Sequence, residues 1–104
     1  MEGNKKAQTF IGFAIKARKC KIGLNAVLTL KKANLIIVCK TASDNTKKQA
    51  DKFAVKFHCP IIQTVSKSLE ELTFKDNAKV MAIADQALAS AVLENIQDDF
   101  IARN

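Results

Sequence analysis

Apolar residues recur along this chain with two different periods, and the switches between them mark out its elements. Phe10, Phe13, Ala14 and Ala17 fall at i, i+3, i+4 and i+7, one apolar stripe on a helix spanning residues 5–17. Gly23 interrupts, and Leu24, Val27, Leu28 and Ala33 predict a short second helix starting near that glycine. Residues 35–39, Leu-Ile-Ile-Val-Cys, form a uniformly apolar, β-branched run of the kind found in strands covered on both faces. Ser43-Asp44-Asn45-Thr46 then offers several N-cap side chains, and Ala50, Phe53, Ala54 and Phe57 keep helical spacing until Pro60 forbids continuation. A third helix over residues 44–57 follows.

Residues 60–65 read as the next strand, with Pro60 at its first position, where a missing N–H is tolerated. Residues 66–72 look like a short capped helix, residues 74–77 a loop, and residues 79–84 a further buried strand. Asp85 can cap a last helix in which Ala89, Leu93, Ile96 and Phe100 continue one face. Strands alternating with helices call for right-handed crossovers, a mostly parallel or mixed sheet and helices on both faces. The expected fold is a single-domain α/β chain, a three-layer α/β/α sandwich over residues 1–104.

Composition keeps that picture and adds an electrical one. The 104 residues, 48% hydrophobic and 26% charged, suit one compact domain and leave no room for a second. No apolar run approaches membrane-spanning length, and residues 1–6 lead into no secretory apolar core, so the expectation is a cytoplasmic protein with no membrane partner. The net charge of +7 is concentrated at one end. Up to Asn34, eight bases (Lys5, Lys6, Lys16, Arg18, Lys19, Lys21, Lys31, Lys32) meet one acid, Glu2, whereas from Leu35 onward nine bases meet nine acids. A block this one-sided repels itself unless a polyanion neutralises it, which makes phosphate backbone the first partner to consider. A solvated face that aids solubility is the plain alternative.

Enzyme chemistry finds little support. Cys20, Cys39 and Cys59 are odd in number and lack C-x-x-C spacing, so reduced, packed thiols are expected, with neither a metal nor any other cofactor. His58 and Cys59 could be imagined as a thiol nucleophile with Asp51 or Asp44 orienting the imidazole, but adjacent residues at a helix end seldom face one another. His58 suits a helix C-terminus, where the macrodipole favours it. Glycine-rich phosphate loops, paired carboxylates and dinucleotide fingerprints are missing, so no catalytic residue is assigned.

Three segments resemble a known family. Phe10-Ile-Gly-Phe-Ala-Ile-Lys-Ala-Arg-Lys-Cys-Lys-Ile-Gly23 is similar to the opening of bacterial YlxQ-type proteins, with Gly12, Ala14, Ala17, Gly23, Lys16 and Lys19 in register. Ser43-Asp-Asn-Thr-Lys-Lys48 resembles their Ser-Glu-Asn-Thr-Lys-Lys helix start, and Val80-Met-Ala-Ile-Ala-Asp85 with the alanine-rich stretch after it resembles their last strand and helix. These proteins belong to the superfamily of kink-turn RNA-binding ribosomal proteins, and the likeness covers about residues 8–96.

The resemblance implies a small, monomeric, non-catalytic module that binds structured RNA, either ribosomal or kink-turn-like, with the ribosome or translation factors as further partners and DNA not expected. In kink-turn binders a Gly-x-Asn-Glu-x-x-Lys segment at the start of the second helix reads sheared G·A pairs, and a hydrophobic loop before the last strand covers a splayed base. By position Gly23 matches the glycine, Asn25 the asparagine, and Phe74 is the one large apolar residue of the loop. Ala26 stands where the family has glutamate and Thr29 where it has lysine, which puts kink-turn reading in question and leaves general RNA binding less affected.

The RNA-binding set is therefore Lys16, Arg18, Lys19, Lys21, Lys31 and Lys32 for phosphate contacts, with Gly23, Leu24, Asn25 and Leu28 on the second helix and Phe74 in the loop. Of these, Asn25 and Phe74 are the candidates for contacting bases. Asn25 suits a cap or turn equally well, Phe74 could fold back into the core, and Gly23 needs only a turn to justify it. A protein-interaction module, docking on a ribosomal, translation-factor or RNA-degradation partner through its first two helices, is the second expectation.

Overall fold

The computed structural model describes residues 6–96 and 100–103, and in it the apolar runs become strands of one sheet. The elements are α1 (Lys6–Lys16), β1 (Cys20–Ile22), α2 (Leu24–Leu28), β2 (Leu35–Val38), α3 (Asp44–Phe57), β3 (Ile61–Thr64), α4 (Leu69–Thr73), β4 (Val80–Ile83), α5 (Gln86–Glu94) and β5 (Phe100–Ala102). The strand order is β1-β4-β2-β3-β5. β2 and β3 run parallel and the other three pairings are antiparallel, so the sheet is mixed. The alternation of strands and helices fits crossover connections, but only the β2–α3–β3 unit uses one to join parallel neighbours.

Every residue of β2 and β4 is buried, which requires helices over both faces of the sheet centre. α3 packs on β2 and β3, and α2 packs on β1 and β4. α1 packs on α4 and α5, and α5 touches β4. Each large apolar side chain in those central strands contributes roughly 1.5–3 kcal/mol on burial, so Leu35, Ile36, Ile37, Met81 and Ile83, all fully buried, anchor the fold at the sheet centre. The rim is left free for other work.

Side-chain caps set the helix ends that the sequence suggested. Ser43 Oγ accepts from Thr46 N–H at 3.1 Å, Ser68 and Glu71 form a reciprocal capping box, and Asp85 accepts from Leu88 N–H at 2.9 Å. His58 closes α3 in a left-handed C-cap conformation. Among the described residues no helix is long and apolar enough to cross a membrane.

Two expectations need correcting. The last helix does not run on to Phe100: α5 stops at Glu94, and Phe100 is buried in β5, opposite Thr64 of β3. A longer helix would set Asp98 and Asp99 at its negative end, while Phe-Ile as a strand covers the open edge of β3. Lys5 and residues 97–99 lie outside the described residues. The second correction is β1, three residues long, which pairs with β4 where no strand was expected. Ala33 belongs to neither neighbouring element, because α2 ends at Leu28.

Candidate functional site

β1 delivers the start of α2 to the rim of the sheet. Its pairing sets Lys21 opposite Ala82 and Ile22 opposite Met81, and Gly23 N–H then donates to Val80 O at 2.8 Å. Gly23 turns the chain with φ 100° and ψ 150°, a region that is essentially closed to residues with a side chain. The first helical bond follows at once, Val27 N–H to Gly23 O at 2.9 Å. Gly23 is the N-cap, and no side chain caps this helix. Asn25 is exposed and its amide makes no hydrogen bond among the described residues, so the capping role is excluded and the amide is free. At the other end Thr29 donates its hydroxyl back to Ala26 O at 2.6 Å, which turns it toward the helix.

The loop after α4 approaches the same place from β4. Phe74 and Asn77 both hold left-handed backbone, φ 58° and 59°, which costs roughly 1 kcal/mol or more apiece for residues other than glycine. Glu70 fastens both ends of this turn. Its main-chain oxygen accepts from Phe74 N–H at 2.9 Å and its carboxylate accepts from Asn77 N–H at 3.1 Å. The same carboxylate pairs with Lys79 Nζ at 3.1 Å, and Lys79 also donates to Thr41 Oγ1 at 2.8 Å. Inside the turn, Thr73 Oγ1 accepts from Lys75 N–H at 3.3 Å and donates to Leu69 O at 2.9 Å. The result is a tied loop with Phe74 at its crest, 91% exposed, so the core reading of that phenylalanine is excluded.

Two open grooves border other residues of that loop. One, of about 520 Å³, is lined by Gly23, Leu24 and Asn25 together with Thr46 of α3 and Asn77 and Lys79 of the loop side. The other, of about 470 Å³, is lined by Arg18, Lys21, Thr73 and Lys75 along the outer edge of β1. Ile22 and Ala26 line both and form the shared wall. Arg18, Lys21 and Lys75 come from three separate segments and pair with no carboxylate among the described residues. Burial pushes the Cys20 thiol up, and the ammonium groups of Lys21 and Lys75, both in electrostatic reach of it, pull the other way.

The structure thus brings Arg18, Lys21, Gly23, Leu24 and Asn25 to the two grooves; Phe74 lines neither, though Thr73 and Lys75 on either side of it line one. Lys16, Lys19, Lys31 and Lys32 are exposed but line neither groove, and Leu28 is 55% exposed outside both. Thr46 and Lys79 were not picked out by sequence reasoning, and Thr73, Lys75 and Asn77 belong to the loop, residues 73–77, that the resemblance matched while singling out only Phe74. They join through the β1–β4 register and the loop, which local patterns do not report.

Elsewhere the thiols are embedded in the fold. Burial pushes Cys59 up to about 11, so it is a thiol near neutral pH, and His58 beside it is exposed. Cys39 is buried and does more than fill space: its sulfur accepts from Leu69 N–H at 3.2 Å and contacts Thr41 Oγ1 at 3.1 Å. Among the described residues no group of three or more His, Cys, Asp or Glu gathers to hold a metal ion. Compared with known proteins, the chain matches no family model, and no curated protein is similar enough to count as a relative.

Proposed function

We propose that this chain is a non-catalytic RNA-binding module, acting as a monomer in the cytoplasm on structured RNA of the ribosome or the translation apparatus, as its resemblance to YlxQ-type proteins implies. The observation that carries the reading is Phe74, held 91% exposed on a loop whose Thr73 and Lys75 line one groove, with three cations that pair with no carboxylate among the described residues, and whose Asn77 lines the other, with the free amide of Asn25. An aromatic ring in water is unfavourable by itself, and a left-handed backbone adds to the cost. Stacking a splayed base on the ring offsets both. Arg18, Lys21 and Lys75 supply sequence-independent phosphate contacts on one side, and Asn25 supplies donor and acceptor for a base edge on the other.

A protein-interaction module is the second reading, favoured by Ala26, which leaves a methyl group on the wall shared by the grooves where the resembled family carries a carboxylate. Salt separates the two readings, since phosphate contacts release counterions and an apolar interface does not. A hairpin with unpaired purines, titrated at several salt concentrations, should give a slope of log affinity against log salt of roughly −2 to −3, three contacts' worth of released counterions. Phe74→Ala and Asn25→Ala should weaken that hairpin by about tenfold or more and a fully paired duplex little. A slope near zero, or equal losses on both RNAs, would remove the proposal.

A further inference from the structure

The balanced charge count of residues 35–104 conceals a local excess of positive charge on α3, which carries four lysines and two aspartates. α3 carries Lys48, Lys52 and Lys56 at i, i+4 and i+8, all exposed, and Lys31 and Lys32 are exposed on the segment leading out of α2. Of the two acids on α3, Asp51 is already tied to Arg103 at 2.8 Å and Asp44 sits in the first turn. The counterbalancing Glu70, Glu71 and Glu94 belong to α4 and α5. None of the three α3 ammonium groups has a carboxylate partner among the described residues; Lys56 lies over the Phe57 ring at 5.3 Å.

We propose that the Lys48–Lys52–Lys56 row is a second nucleic-acid contact, one that tracks the phosphate backbone of an RNA stem continuing past the Phe74 site. This rests on the reading of the chain as an RNA-binding protein. Four helical residues rise about 6 Å, so the row spans about 12 Å and each ammonium can meet a separate phosphate of one backbone. Thr46, in the first turn of the same helix, lines the Asn25 groove, so α3 leads from that groove along the surface. An anionic lipid surface fits less well. A membrane-lying helix presents large apolar side chains beside its lysines, whereas Phe53 and Phe57 of α3 are buried and only Val55 is an exposed large apolar residue there.

The test compares the wild type with the triple variant Lys48→Gln, Lys52→Gln, Lys56→Gln on two RNAs: a short hairpin carrying the unpaired bases, and the same hairpin with its stem lengthened by about one helical turn. The substituted side chains are exposed and glutamine is a good helix former, so the fold is retained, which circular dichroism verifies. On the long hairpin the variant should lose about tenfold in affinity and its salt slope should shrink by roughly 2 to 3, three contacts' worth of released counterions. On the short hairpin both should stay unchanged. The corresponding triple arginine variant should bind the long hairpin like wild type. An unchanged slope on the long hairpin, or equal losses on both, overturns this inference while leaving the Phe74 site standing. A wild type that binds neither RNA overturns both. Loss of binding to phosphatidylserine vesicles with RNA affinity intact reassigns the row to lipid and also overturns it.

Discussion

Glu70 is a positioning residue whose removal should loosen the Phe74 loop without unfolding the protein. Glu70→Ala deletes the acceptor of Asn77 N–H and the partner of Lys79, both at 3.1 Å, while the main-chain bond from Phe74 N–H to residue 70 persists. The two side chains of the ion pair are 33% and 29% exposed, so their pairing contributes about 0.5–1 kcal/mol after screening. The hydrogen bond from Asn77 N–H to a carboxylate contributes about 1 kcal/mol more. Together, about 1.5–2 kcal/mol holds a turn whose left-handed Phe74 and Asn77 cost a similar amount. Loss of the clamp should therefore raise the open population of the loop by about tenfold, since every 1.4 kcal/mol is a factor of ten. Amide exchange at Asn77 reads this directly, and urea unfolding reads any global change. Glu70→Gln keeps a neutral acceptor and should show a smaller acceleration. RNA binding should fall with the exchange protection, in the order wild type, glutamine, alanine. If Asn77 exchanges at the wild-type rate in Glu70→Ala, the clamp does not hold the loop and the reasoning fails.

Other substitutions test other parts of the same frame. Gly23→Ala meets no atom within 4 Å of its new Cβ, yet the φ of 100° should cost about 1–3 kcal/mol in a urea titration through backbone strain alone, and a neutral result would mean the α2 entry relaxes freely. Cys39→Ala should cost about 2–3 kcal/mol, since it leaves a cavity and orphans Leu69 N–H at the head of α4, whereas Cys39→Ser should recover the acceptor and part of the loss. The Arg103 guanidinium holds the Asp51 carboxyl below its usual range. A depressed carboxyl stabilises the fold above its unfolded value and loses that contribution as pH falls through the folded one, so the difference in melting temperature between wild type and Asp51→Asn should close on acidification. Asp51 is 44% exposed, which keeps the effect below about 1 kcal/mol.

How far the fold was legible depended on how much of an element's burial showed in its own sequence. β2, β3 and β4 lie in the sheet interior; β2 and β4 are apolar residue after residue, and β3 opens on Ile-Ile after Pro60, so short apolar runs and β-branching were enough to find them. β1 was not legible because Cys-Lys-Ile is three residues long and forms through pairing with β4 on one side only. Phe100 fits the helical face of Ala89, Leu93 and Ile96 as well as it fits a strand; the open edge of β3 decides, and that edge is a tertiary fact. The same divide runs through the site. Gly23, Asn25, Arg18, Lys21 and Phe74 stood out by residue type and charge, and the resemblance supplied their roles. Lys75 and Asn77 could not be weighted, because nothing local says that their loop returns to the start of α2.

The arrangement also constrains what kind of recognition such a site can carry out. Ala26 occupies the wall common to both grooves, and Thr29 spends its hydroxyl on the carbonyl of Ala26, so neither presents a charged group to a base edge. Lys79, the cation in the lining of the Asn25 groove, is already neutralised by Glu70 and held by Thr41. What remains is one amide, one aromatic ring on a tied loop, and cations gathered on the opposite side. On the proposed reading, a single amide distinguishes few base edges, whereas an exposed ring on a tied loop distinguishes an RNA that can offer an unpaired base from one that cannot. Selectivity would then follow the shape of the RNA more than its sequence, and stiffening or loosening the Phe74 loop would change it more than exchanging any one lysine.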